Sequence, residues 1–124
     1  MTAGPSLERA LQAGGVVAVT AAKAADLALT VAVLPILPGA EVNPVARLAW
    51  AAGQEAGLLA LAAATVGVVI LVTESGVRSV RRLGGSRGER LATRAVGYGL
   101  PCLWWLAAAG YNTVQLANAF PRPL

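Results

Sequence analysis

VARLAWAAGQEAGLLALAAATVGVVILV, Val45–Val72, holds Arg47 and Glu55 as its only charged residues. Wound as an α-helix at ~1.5 Å per residue, this run outlasts the ~30 Å hydrocarbon core of a bilayer. Residues 16–37 and 95–120 form further apolar runs of comparable reach, the first interrupted by Lys23 and Asp26. The fold class that follows is all-α: an integral membrane bundle of three transmembrane helices, built as a single domain over 1–124.

Composition points the same way. Hydrophobic residues make up 56% of the chain and charged residues 13%, with a mean hydropathy of +0.64, all outside the ordinary soluble range. A length of 124 residues leaves no room for a second independent unit. With Cys102 as the one cysteine and no histidine, an internal disulfide is excluded, and zinc, haem or triad chemistry has almost no ligands to draw on. No catalytic residue, metal or cofactor is therefore expected. The apolar stretch ahead of Lys23 is too short, and too poor in preceding basic residues, for a cleaved signal peptide.

A net charge of +4 invites a nucleic-acid reading, but the excess sits in one segment between the second and third runs. Arg78, Arg81, Arg82, Arg87, Arg90 and Arg94 there face anionic lipid headgroups on this reading, and no nucleic acid is expected. By the positive-inside rule that loop is cytoplasmic, which puts the amino terminus inside and the carboxyl terminus outside the cell membrane.

Helix signals extend past the bilayer. Ser86 with Glu89 forms a capping box that opens helix three, and Gly84-Gly85 makes the preceding turn. Asn43-Pro44 suits the N-cap and first position of helix two, with Glu41 just before them in the outer turn. Helix one is expected over about residues 6–37, ending at Pro35 and Pro38. Helix two is expected over about 44–83, on the order of 60 Å long at ~1.5 Å per residue, bent near Gly76 if at all. Helix three is expected over about 87–120, kinked at Pro101. Helices two and three thus extend into the cytoplasm.

Polar residues inside these runs are the candidate site. Counted from an outer turn near Ala40, Asp26 and Glu55 fall at matching depth on antiparallel helices, with Lys23 one turn from Asp26. Thr30, Asn112 and Gln115 supply further hydrogen-bonding groups, Tyr111, Gln115 and Asn118 sharing one face. A proton or cation relay and a register-fixing polar network are the competing uses, and the structural one is favoured because three short helices enclose no pathway by themselves. On helix two, Gly53, Gly57, Ala60, Ala64 and Gly67 make a small-residue seam for close packing against the other helices or a second copy. Val96-Gly97-Tyr98-Gly99 matches the core of the potassium-filter signature, but it follows a basic segment and leads into a span, so close helix approach is the better account.

Asp26-x-x-x-Thr30, Glu41-x-Asn43-Pro44 and Tyr111-Asn112 together resemble an uncharacterised family of small prokaryotic membrane proteins, over about residues 22–118. The resemblance implies a compact three-helix membrane domain and assigns no activity. The function expected is that of a non-enzymatic integral membrane protein acting through helix association, as a homo-oligomer or an accessory subunit of a larger complex. The alternative is a small oligomeric channel or proton/cation carrier using Asp26 and Glu55.

Overall fold

The computed structural model describes residues 4–37 and 43–120. They form three helices, α1 (Gly4–Val33), α2 (Pro44–Arg82) and α3 (Arg87–Ala119), with no strand among the described residues. Leu7–Val33 and Pro44–Arg82 are each long and apolar enough to cross a membrane. α3 is not, because Trp, Tyr, Gly, Pro and Asn dilute its hydropathy.

The chain runs up, down and up. Glu8 meets Arg90 and Thr30 meets Asn112, so α1 and α3 lie parallel, with both ties spanning the same 82-residue offset. α2 is antiparallel to both, since Thr73 packs on Gly97 and Gly76 on Thr93. α1 and α3 share the most extensive contact, helped by Gly15, where any Cβ would collide with the Tyr98 ring. One core cluster joins Val19 and Ala22 to Tyr98 and Trp105, and the other joins Leu34 to Ala46 and Leu58.

The α2–α3 turn forms as its residues dictate. Gly84 takes φ +76, and the Gly84 and Gly85 amides donate to the Arg81 and Val80 carbonyls at 3.1 and 2.8 Å, a Schellman closure. Ser86 and Glu89 then cap α3 reciprocally, side chain to backbone at 3.1 Å each way. At the other end of α2, Asn43 accepts from the Val45 amide at 3.0 Å with Pro44 in the first turn. Glu41 lies outside the described residues.

Expectation and structure part in two places. α1 ends at Val33 instead of about residue 37, because Pro35 disfavours helical backbone at Leu34 and offers no N–H of its own. Most importantly, α2 is no continuous rod. Gln54 adopts φ 51, ψ −125, and the Ala49 carbonyl presses on Gly57, which a straight helix would hold ~12 Å further along. Ala46 and Leu58 likewise share a cluster. The chain reverses sharply at Gln54, leaving a short arm (44–53) and a main segment (55–82), while Gly76 serves only to let Thr93 come close, 3.3 Å from where its Cβ would stand.

Candidate functional site

Lys23, Asp26 and Thr30 recur at steps of three and four, so α1 presents them on one face. That face turns inward towards α3. Lys23 Nζ donates to Asp26 Oδ2 at 3.1 Å and stands 5.2 Å from the centroid of the Trp105 ring, an ion pair and a cation–π contact on one ammonium. One turn further on, Asn112 Nδ2 donates to Thr30 Oγ1 at 3.2 Å. Asp26, Thr30 and Asn112 are all buried, at 9, 6 and 6% exposure, and the second bond satisfies two side chains that would otherwise be stranded.

These groups line a cavity of about 470 Å³ together with Leu58, Leu61 and Tyr111. Apolar walls with a few convergent polar groups are the usual make-up of a small-ligand site. Lys23 is the only partner of the Asp26 carboxylate among the described residues, which leaves acceptor capacity facing the cavity.

Glu55 does not belong to this site. It is exposed, it makes no hydrogen bond or ion pair among the described residues, and it does not line the cavity. The expected match in depth with Asp26 fails because the reversal at Gln54 takes residues 44–53 out of the count and leaves Glu55 at the start of the main segment. Gln115 is half-buried beyond the cavity, and Tyr111 and Asn118 are exposed. The small-residue seam also divides. Gly57 is used within the chain, against Ala49, and Gly53 lies on the short arm. Ala60, Ala64 and Gly67 remain as an exposed edge. Val96–Gly99 is helical, inside α3, with Gly97 against Thr73.

A second cluster holds the opposite end of the bundle. Arg94, 5% exposed, lies fork to fork on Glu74, whose carboxylate also accepts from the Tyr98 hydroxyl at 2.7 Å. Arg90 donates twice to Glu8 Oε1, at 2.8 and 3.2 Å. These bonds from Arg94 and Arg90 are the first cause holding Glu74 and Glu8 below the ordinary carboxyl value of 4.5, against the opposing effect of burial. Arg90 and Arg94 were expected to face lipid; their guanidinium groups instead bind protein carboxylates, while Arg78, Arg81 and Arg82 are exposed and Arg87 is half-buried. Glu8, Glu74 and Tyr98 are the residues sequence reasoning missed. A signal was present: Glu74 and Arg94 are equally spaced on either side of Gly84, so a hairpin closed there sets them opposite one another.

Among the described residues no group of three or more Cys, Asp or Glu side chains is placed to hold a metal ion. Comparison of the chain with family models, curated proteins and solved structures gave no match.

Proposed function

We propose that this chain is a non-enzymatic protein of the cell membrane that crosses the bilayer three times and acts through helix association, as a homo-oligomer joined along the main segment of α2. Between Glu55 and Glu74 that segment carries no charge, and at ~1.5 Å per residue the interval matches the ~30 Å hydrocarbon core. Glu55 then marks the outer headgroup layer, and the Glu74–Arg94 pair marks the inner one. α3 serves as a third span despite its modest hydropathy because Arg94, Tyr98 and Asn112 turn inward while Leu100, Leu103, Leu106 and Val114 face out. The Arg-rich turn and amino terminus are cytoplasmic, next to anionic lipid, and the carboxyl terminus is outside. Membership of the uncharacterised family of small prokaryotic three-helix membrane proteins belongs to the same proposal.

The observation that carries association is the edge formed by Ala60, Ala64 and Gly67. It points away from α1 and α3, is flanked by exposed Val68 and Leu71, and has open space where a Gly67 Cβ would stand. Lipid tails offer no hydrophobic drive between helices, so close backbone approach along small residues is what joins them. Ala64→Leu is expected to halve the particle mass in mild detergent while leaving the melting temperature of the bundle intact. A native chain that is monomeric and copurifies with nothing would end this reading; a stoichiometric foreign subunit would convert it to the accessory role.

A second reading rests on the cavity. Asp26, buried beside Lys23 in the outer part of the span, has the placement of a proton or cation carrier, now without Glu55. Proteoliposomes of the native protein would then show flux that Asp26→Asn abolishes in a folded protein, and absence of flux in the native protein ends it.

A further inference from the structure

Beyond the Glu74–Arg94 pair, on the side of the Arg-rich turn, lies a second cavity of about 510 Å³ whose charge is lopsided. Arg9, Arg81, Arg87, Arg90 and Arg94 line it from all three helices, and Glu8 is its only carboxylate among the described residues. Glu8 alone cannot balance that charge. Its Oε1 is taken by Arg90, while its Oε2 stands 3.9 Å from both Arg81 Nη2 and Arg94 Nη1, too far for a hydrogen bond. Arg94 Nη1 is buried and has no hydrogen-bond partner among the described residues, although the rest of that guanidinium is held rigidly on Glu74. An oriented, buried, unsatisfied donor inside a surplus of positive charge is costly unless an anion completes it.

We infer that this cavity binds a phosphate group carrying two negative charges, a phosphomonoester or free phosphate. Such a group offers more acceptor oxygens than one carboxylate and takes paired guanidinium donors from several directions. Arg94 Nη1 and Arg81 reach oxygens that Glu8 leaves out of range, and the amino end of α3 adds its positive dipole through the turn that begins at Arg87. Two sources share this chemistry: soluble phosphate, and the headgroup of phosphatidic acid, which sits at the depth of the cavity if the membrane reading holds. Only the lipid source rests on that reading.

The test uses the full chain in detergent and in phosphatidylcholine nanodiscs doped with equal fractions of phosphatidic acid or phosphatidylglycerol. Inorganic phosphate is titrated in detergent against chloride at matched ionic strength, with melting temperature as the readout. Lipid adducts surviving on the protein are counted by intact mass spectrometry. A phosphate-dependent rise in melting temperature assigns the free anion, and preferential retention of phosphatidic acid over phosphatidylglycerol assigns the lipid. In either case Arg81→Ala, at an exposed residue whose loss leaves the bundle folded, weakens binding about tenfold, as loss of one charge-assisted bond does. Glu8→Gln strengthens it by removing the competing carboxylate. No response to phosphate together with equal retention of the two lipids, or binding indifferent to Arg81→Ala, overturns the inference.

Discussion

Arg94 Nε lies 3.1 Å from Glu74 Oε1 and Arg94 Nη2 lies 2.8 Å from Glu74 Oε2, and this two-pronged contact pins α3 to α2 at a single level. Below it the chain is charged, and above it α2 carries no charge as far as Glu55. Removing one partner of such a buried pair leaves the other charge unanswered, which typically costs about 3–5 kcal/mol. The Tyr98 hydroxyl on the same carboxylate extends the tie towards Gly15 and therefore to α1.

Acid should act through this carboxylate. Glu74 is held below 4.5 in the folded chain, by Arg94 first, with burial opposing and Tyr98 assisting. A carboxyl group depressed on folding contributes fully above its unfolded value and loses that contribution as pH falls through its folded value. Thermal melting in detergent is expected to be flat from neutrality down to about 4.5 and to decline below it. Glu74→Gln should melt lower at neutral pH and show a shallower acid decline, and an unchanged acid profile would place the titrating group elsewhere.

Gly57 and Gly67 predict opposite outcomes from the same chemical change. A Cβ at Gly57 would meet the Ala49 carbonyl, whereas one at Gly67 meets nothing within 4 Å. Gly57→Ala should therefore open the reversal at Gln54 and lower the melting temperature. Gly67→Ala should raise monomer stability by about 0.5–1 kcal/mol, the entropic gain of replacing a helical glycine. Equal effects of the two substitutions would mean that the reversal places no demand on Gly57.

Asp26 and Glu55 should behave as independent sites. Asp26→Asn removes the anion beside Lys23 and is expected to cost up to about 3 kcal/mol, since Trp105 still faces the ammonium. Glu55→Gln, at an exposed residue, should cost little. The double variant should equal the sum within ~0.5 kcal/mol. A penalty well beyond that sum in a double-mutant cycle would show that the acids share a site after all.

What the sequence made legible was mostly local. The helix starts at Pro44 and Arg87 and the turn at Gly84 follow from capping residues and glycine, which act within a few positions of themselves. The Lys23–Asp26–Thr30 face was legible from helical spacing alone. The reversal at Gln54 was not, because a glutamine at positive φ has no signature and its support comes from the Gly57–Ala49 approach, a tertiary contact. Missing it misplaced Glu55. The Arg90–Glu8 contact was hidden for a different reason: it spans 82 residues, and the register of α1 on α3 that creates it is set by packing at Gly15 and Tyr98.

Whether α3 crosses the bilayer is the point on which three spans stand or fall. In a Cys102→Ala background, single cysteines at Arg47, Ser86 and Phe120 are labelled in intact cells with an impermeant thiol reagent and again after permeabilisation. All three positions are exposed, so reactivity reports the side of the membrane. The account predicts labelling of Arg47→Cys and Phe120→Cys in intact cells and of Ser86→Cys only after permeabilisation. Labelling of Ser86→Cys and Phe120→Cys from the same side would contradict it, since α3 would then lie on the membrane without crossing it.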